Sequence, residues 1–381
     1  MPTYLKVKLL LCIFSVLLLK TCAEDPGTQD PLKQVLLSED PYIRQVMDKV
    51  EEHELQIIYT RIERRADSLL FHDYNFQVDK KDYFYPASTV KFPIAVTALE
   101  KLNELDSLDR NVRYYIEGDT IENTFAEDII KIFTVSDNHA NNRLLEFLGQ
   151  DDINNRLLTK GISPVRISHR LGVHLDEVTT RPLVLYMNDS TTALSKPIVN
   201  KAPEPLLLNG IKKGRGFYKA DSLYAEPFDF KLKNYYPLVA QHEVLKRVVY
   251  PEYYAKEEQF KITQEQRAFL LEAMQMLPRE AGYDEEEYYD GYCKFFLYGD
   301  TLEQIPDHLQ IYNKVGFAYG TLTDCAYIRD ELNKVEFMVS ATLLVNQDGI
   351  FNDDSYEYDE VGIPFLAALG RALYTFERSG N

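Results

Sequence analysis

The sequence contains no tryptophan, only four cysteines in 381 residues, and too few basic residues to balance its acids. The formal charge is −18, from 42 Lys and Arg against 60 Asp and Glu. An acidic surface of this kind repels polyanions, so nucleic acid and anionic membrane surfaces are poor partners. With 45% hydrophobic and 27% charged residues, the composition is typical of a globular protein.

Several well-defined catalytic and binding motifs are also missing. The seven histidines form no His-Glu-x-x-His zinc site, and the chain has no Gly-x-Ser-x-Gly elbow, P-loop or dinucleotide fingerprint. Internal repeats and low-complexity segments are missing as well. We therefore expect that the protein uses no metal and no organic cofactor. We also expect a monomer.

Export is predicted from the N-terminus. Residues 1–22 have a short basic start and then an apolar run, which is short for a membrane-spanning helix and typical of a secretory signal. Cleavage before Glu24 by a signal peptidase, or before Cys22 with a lipid on that cysteine, are both consistent with it. Residues 23–34 are interpreted as a polar tether. The expected location is the periplasm or, for a lipoprotein, the outer membrane or cell surface.

Two cysteines remain outside the signal, Cys293 and Cys325. In an oxidising compartment they could form a disulfide. Because Cys325 lies in a predicted buried strand, two free thiols are the favoured interpretation.

The order of predicted elements indicates an α/β fold for residues 35–381. A helix at 41–52 precedes two strands, and three strands precede a helix at 363–378. Strands joined by short turns pair antiparallel, whereas the long segment between the two groups must form its own lobe. The expected fold is a five-stranded antiparallel sheet flanked by terminal helices, with an inserted helical subdomain at about 88–300. The strands are predicted at 55–63, 68–78, 309–316, 324–330 and 334–346.

Residues 195–260 do not fit a helical pattern. They are rich in aromatic residues, prolines and turn signals, and are predicted to form an insertion with strand-like hairpins.

The stretch YPASTVKFPI, residues 85–94, places Ser88 and Lys91 three positions apart at a predicted helix start. Residues at this spacing share a helix face, so the amine is expected near the hydroxyl. A serine N-cap followed by a solvated lysine gives the same pattern. The pair is therefore informative only in combination with other motifs.

Two further motifs follow in the chain. Ser136, Asp137 and Asn138 begin another amphipathic helix, where all three residue types also serve as N-caps. Residues 314–316, Lys-Val-Gly, stand at the end of a predicted strand.

In this order the three motifs resemble those of the class A β-lactamase and penicillin-binding superfamily: Ser-x-x-Lys, Ser-Asp-Asn and Lys-Thr-Gly. The stretches STVKFPIAV and SDNHANNRLLEFLG resemble the family beyond the bare motifs. The C-terminal part most resembles β-lactamase-related serine hydrolases of Bacteroidetes-type bacteria. The resemblance implies the same fold and an acyl-enzyme mechanism.

Catalytic roles follow from the chemistry and the resemblance. Ser88 would be the nucleophile, which requires a base within reach. Lys91 can be that base if burial and a second ammonium, Lys314, lower its pKa. By resemblance, Ser136 would relay a proton to the leaving group.

Substrate binding is expected to involve four further residues. By resemblance, Asn138 would orient Lys91 and the substrate amide, and Lys314 would hold Ser136. Gly316 would let the substrate lie flat along the strand. The oxyanion would bind the backbone N–H groups of Ser88 and, by resemblance, Phe317.

Two positions depart from the family pattern. Class A β-lactamases carry a Glu-x-x-x-Asn loop whose Glu activates the deacylating water. Residues 162–187 contain no such motif, and their acids, Asp176 and Glu177, are interpreted as structural. Val315 stands where the family has a hydroxyl that helps to bind the substrate carboxylate.

Three functions remain open at this point. The first is a class A type hydrolase that cleaves a β-lactam or related amide. The second is a penicillin-binding or peptidase-like acyl-transfer enzyme on cell-wall peptides, which releases β-lactams slowly. The third is a surface binding protein that keeps the fold without turnover, and the five matched groups argue against it.

Overall fold

The computed structural model describes residues 30–65, 68–105, 108–173 and 177–379. The predicted signal and most of the predicted tether lie outside these residues. The helices are α1 (Pro31–Leu36), α2 (Pro41–Met47), α3 (Lys91–Leu102), α4 (Phe125–Thr134), α5 (Asn138–Leu148), α6 (Gln150–Thr159), α7 (Leu238–Val249), α8 (Gln264–Gln275), α9 (Phe295–Tyr298) and α10 (Ile363–Ser379). The strands are β1 (Gln56–Arg65), β2 (Ser68–Phe76), β3 (Arg113–Ile116), β4 (Asn123–Thr124), β5 (Leu183–Asn188), β6 (Thr191–Leu194), β7 (Lys212–Lys213), β8 (Gly216–Lys219), β9 (Ser222–Tyr224), β10 (Phe228–Asp229), β11 (Leu309–Ala318), β12 (Thr321–Asp330), β13 (Val335–Leu344) and β14 (Ile350–Phe351).

The predicted five-stranded antiparallel sheet is confirmed, with strand order β11-β12-β13-β1-β2. Strands adjacent in the chain pair with each other, and β1 pairs with β13, where Ile58 lies opposite Ser340. Strand β11 is at the edge, with Lys314 opposite Cys325. An edge strand has N–H and C=O groups without a strand partner, which are free to contact other groups.

Two apolar cores lie on opposite faces of the sheet. One contains residues of α1, α2 and α10 packed against Ile311 and Phe337, and the other joins Cys325 and Met338 to the helical subdomain and α7. Because both faces are covered, β12 and β13 are buried along nearly their whole length.

Helix α3 is the central helix of the subdomain. It contacts α4, α5 and α6, and its residues are buried on all sides, which explains why its sequence shows no polar face. Helix α4 begins with a capping box between Thr124 and Glu127. Asp137 caps α5 by accepting the N–H of Ala140 at 2.7 Å.

Three boundaries differ from the sequence predictions. Residues 31–34, assigned to the tether, begin α1, because Leu32 is 1% exposed and packs in the core. The insertion predicted at 195–260 has short strands at 212–229, but residues 238–249 form α7 on the sheet. The predicted helical block is interrupted by a small sheet of order β4-β3-β5-β6.

The two cysteines are both free and buried, as the sequence predicts. Within the described ranges, no helix combines the length and hydrophobicity needed to cross a bilayer.

Candidate active site

Ser88 lies in a tight turn rather than inside an α-helix. The turn, Ala87–Val90, immediately precedes α3, and Thr89 closes it by donating its hydroxyl to the carbonyl of Pro86 at 2.6 Å. Ala87 has a φ of +46°, which is unusual for a residue with a side chain. Backbone conformations of this kind are found most often at functional sites. Ser88 lines a cavity of about 440 Å³.

Two lysines converge on the hydroxyl of Ser136. Lys91, the first residue of α3, donates to the backbone oxygen of Ser136 and to its Oγ at 3.2 Å. Lys314, on the edge strand, donates to the same Oγ at 2.8 Å and to the carbonyl of Val315 at 2.7 Å. The Ser136 hydroxyl therefore lies between two amines that come from different lobes.

Burial changes the acidity of both lysines. It lowers the pKa of Lys91 well below the ordinary value, and the nearby charge of Lys314 lowers it further. Burial lowers the pKa of Lys314 to about 8, while Cys293 and Asp324 act in the opposite direction. Lys91 therefore loses its proton more readily than an ordinary lysine, and Lys314 is an ammonium below its pKa of about 8.

The Ser-Asp-Asn motif forms the connection from α4 to α5. Ser136 has a φ of +55°, and Asp137 is the N-cap of α5. Asn138 lines the cavity together with Ser88. Among the described residues no hydrogen bond joins Asn138 to Lys91, and the Lys91 amine contacts Ser136. The orienting role of Asn138 toward Lys91 and the substrate amide stays a prediction.

Gly316 lies against the backbone of the Ser88 turn. A Cβ atom at this position would lie 2.7 Å from the backbone nitrogen of Ser88 and 2.9 Å from both the carbonyl oxygen of Pro86 and the nitrogen of Thr89. Strand β11 thus packs directly on the backbone of the Ser88 turn. Glycine at 316 allows this close approach, and its predicted role in leaving room for a substrate along the strand stays a prediction.

The two residues beside Gly316 face opposite environments. Val315 is 1% exposed and belongs to the apolar core behind the sheet, so it gives the cavity no hydrogen-bond donor. Phe317 is 50% exposed and is among the residues that line the cavity. Residues two apart on a strand direct their backbone groups to the same side, so the N–H of Phe317 shares the side on which Lys314 reaches the Val315 carbonyl.

The loop at 162–187 presents apolar groups to the cavity. Leu171 and Gly172 line it beside Ser88. Asn142 of α5 holds this point of the loop, because its side chain donates to the Leu171 carbonyl and accepts the Leu171 N–H, both at 2.9 Å. Glu177 is not among the residues that line the cavity. His174 and Asp176 lie outside the described residues.

A buried ion pair also anchors this loop and was not predicted. Arg170 and Glu146 are both 0% exposed and form a bidentate contact with two distances of 2.7 Å. Arg170 further donates to the carbonyls of Glu177 and Thr179. The available sequence signal was that Asn142 and Glu146 lie four residues apart, which places them on one face of α5.

No group of three or more His, Cys, Asp or Glu side chains in the described part of the chain is arranged to hold a metal ion.

Comparison with known proteins finds a family match for part of the chain. Residues 42–196 match the model of the β-lactamase enzyme family. The match covers less than half of the 381 residues, so it shows that this part of the chain is similar to that family. A search of curated proteins finds no match to the chain.

Solved structures show a likeness of fold over most of the chain. A β-lactamase from Burkholderia ambifaria aligns with a TM-score of 0.50 at 12% identity, over 88% of this chain and 98% of its own. A representative of class A β-lactamase from Bacteroides cellulosilyticus DSM 14838 aligns with a TM-score of 0.51 at 12% identity, over 92% and 100%. At such low identity the likeness shows the fold alone, so substrate and mechanism rest on the site itself.

Proposed function

We propose that the protein is an exported serine hydrolase of class A type that forms an acyl-enzyme on Ser88. The observation that supports this most directly is the Ser136 hydroxyl, which accepts hydrogen bonds from the buried amines of Lys91 and Lys314. A lysine that serves only as a surface charge stays in water, because burial without a compensating charge disfavours its ammonium form. The burial of both amines is therefore not explained by a surface role.

In the proposed acylation, the Ser88 hydroxyl attacks the carbonyl carbon of an amide and its proton passes to the neutral amine of Lys91. The oxyanion binds the N–H groups of Ser88 and Phe317. When the tetrahedral intermediate collapses, the C–N bond breaks and Ser136 gives its proton to the leaving nitrogen. Ser136 recovers a proton from the Lys91 ammonium, while Lys314 holds the Ser136 oxygen in place.

Release of the acyl group is proposed to be slow. Hydrolysis of the ester needs a water and a base near Ser88. Among the described residues of this loop, Leu171 and Gly172 line the cavity beside Ser88, and neither residue has a side chain that can accept a proton. The same observation favours a second candidate function, in which an amine of a cell-wall peptide takes the acyl group in place of water.

The nucleophile is tested by intact mass after exposure to a penicillin or a fluorophosphonate probe. Wild type should gain the mass of one probe, whereas Ser88→Ala should gain none. Lys91→Ala should slow labelling by about 10²-fold or more, since the base is lost. Ser190→Ala changes an exposed serine in a turn and serves as the matched control. Equal labelling of wild type and Ser88→Ala would place the nucleophile elsewhere, and no labelling of either would favour a binding protein.

A further inference from the structure

The cavity beside Ser88 has an unusual balance of charge. Of the lining residues that the structure describes, none is Lys, Arg or His, and one is an acid. The aromatic residues and the acid that line it are Tyr85, Phe317, Tyr319, Tyr356, Tyr358 and Asp354. Among the described residues that line this cavity, a substrate carboxylate would meet neither a basic side chain nor the hydroxyl that Val315 replaces.

The aromatic wall is held in place by its own contacts. The rings of Phe317 and Tyr358 meet edge to face with centroids 5.3 Å apart, and Tyr85 and Tyr319 do so at 4.9 Å. The hydroxyl of Tyr358 accepts the N–H of Gly320 at 2.8 Å. The rings are therefore fixed before a ligand binds, which reduces the entropy cost of binding.

Asp354 stands at the same wall on the segment after β14. Its side chain is exposed, and no ion pair with a described basic residue neutralises it. One lysine, Lys233, has its ammonium 5.7 Å from the ring centroid of Tyr319 but is not among the described residues that line the cavity. The tyrosine wall thus already lies close to one ammonium group of the protein itself.

We propose that the cavity selects acyl substrates that carry an ammonium group, held by the aromatic faces and by Asp354, and discriminates against substrates with a carboxylate at that place. The inference rests on the proposed function, since the bound group must lie beside an acylated Ser88. Aromatic faces attract cations through their quadrupole. The formal charge of −18 also raises the local concentration of cationic substrates and lowers that of anionic ones.

The test compares three p-nitrophenyl esters of equal chain length and different charge. The acyl groups are 6-aminohexanoate (cation), hexanoate (neutral) and the adipate half-ester (anion), and the readout is Ser88-dependent release of p-nitrophenol at fixed ionic strength. The expected kcat/KM is at least about 10-fold higher for the cationic than for the anionic ester. Asp354→Asn should reduce this ratio by about 3-fold or more.

Asp353→Asn is the matched control, because Asp353 is the neighbouring acid, accepts the N–H of Ser355 and does not line the cavity. It should leave the ratio of cationic to anionic ester unchanged. Ser88-dependent release at equal rates for all three esters, or faster release of the anionic ester, overturns the inference alone. No Ser88-dependent release from any ester contradicts the proposed function and the inference with it.

Discussion

Two buried lysines donate hydrogen bonds to the Ser136 hydroxyl, and their closeness determines which of them loses its proton first. Two ammonium groups in a site of low dielectric repel each other, so the one with the lower pKa gives up its proton first. Here that lysine is Lys91, whose pKa is lowered by burial and then by Lys314. Lys314 keeps its proton up to a pKa of about 8. Between the two pKa values the site holds one base and one cation, which is the state that acylation requires.

The first prediction concerns pH. The acylation rate should rise as pH passes the lowered pKa of Lys91 and should fall above about pH 8, because Lys314 is an ammonium below that pKa and neutral above it. Lys314→Arg should move the fall to higher pH, since a guanidinium keeps its charge. Stopped-flow acylation between pH 5 and pH 10 measures the profile. Lys219→Arg, on an exposed strand, is the control. A wild-type rate that still rises above pH 9 would assign the charged role to another group.

The second prediction concerns acyl release. A chromogenic cephalosporin should give a burst followed by slow steady turnover, because Leu171 contributes no base to the cavity. Leu171→Glu should raise the release rate by about 10-fold or more and leave the burst rate within a few fold, since general-base help typically contributes 10²–10⁴ in rate. Val173→Glu places the same acid at an exposed neighbouring position and should not change release. Fast steady turnover by wild type, with no accumulated acyl-enzyme, would show that another residue positions the water.

At the level of elements, α5 acts as the support of the site. Its N-terminus follows Ser136, while Asn142 and Glu146, one and two turns further on, hold the loop that places Leu171 in the cavity. Near Leu171 these side-chain contacts hold the described part of the loop, in addition to the backbone hydrogen bonds between Arg166 and Tyr235. A change on α5 should therefore affect both stability and the loop.

The third prediction tests this support. Glu146→Gln should lower the free energy of unfolding by about 3–5 kcal/mol, because it leaves the buried guanidinium of Arg170 without its charge partner. Glu331→Gln removes the acid of an exposed pair with Arg329 and should cost less than about 1 kcal/mol. Urea denaturation of the three proteins gives the comparison. Equal stability of Glu146→Gln and wild type would mean that the loop is held by other contacts.

The main elements were predictable where the sequence pattern has one interpretation. Strand β13 and helix α10 have long apolar patterns bounded by turns, and both were predicted to within a few residues. Helix α7 was missed because it follows a segment rich in prolines and aromatic residues, although Val244 and Val248 recur at helical spacing. The proline and aromatic content of residues 195–260 masked the helical periodicity of the part that forms α7.

The candidate site was predictable to the level of residue types in a fixed order. Ser88, Lys91, Ser136 and Lys314 could be selected because each motif carries a chemical requirement that the others complete. The contact of Gly316 with the Ser88 turn could not be predicted, because this turn lies more than 200 residues earlier in the chain. Contacts of this kind follow from tertiary packing and not from any local pattern.

For the molecule as a whole, the site exists only when both lobes are folded. Lys91 and Ser136 belong to the helical subdomain, whereas Lys314 belongs to the sheet and reaches Ser136 across 178 positions of sequence. Within the sheet, β1 pairs with β13, and these two strands come from opposite ends of the chain. Catalytic activity therefore requires that both lobes are folded and packed together, and a local change in either lobe is expected to affect the activity.

The last prediction concerns where the folded molecule is found. We propose that residues 1–21 are removed on export, or 1–23 if cleavage precedes Glu24. Removing 1–21 takes away three lysines and no acid, which changes the formal charge from −18 to −21. In an expressing bacterium the processed protein should fractionate outside the cytoplasm. Its intact mass should correspond to a chain that starts at Cys22 and carries a lipid, or to a chain that starts at Glu24.

The substitution Cys22→Ala distinguishes the two cases. It should release a lipoprotein from the membrane fraction, and it should not change the location of a protein cleaved before Glu24. Cys12→Ala is the control and should not change the fraction in either case. Recovery of the full-length chain from the cytosol would contradict export.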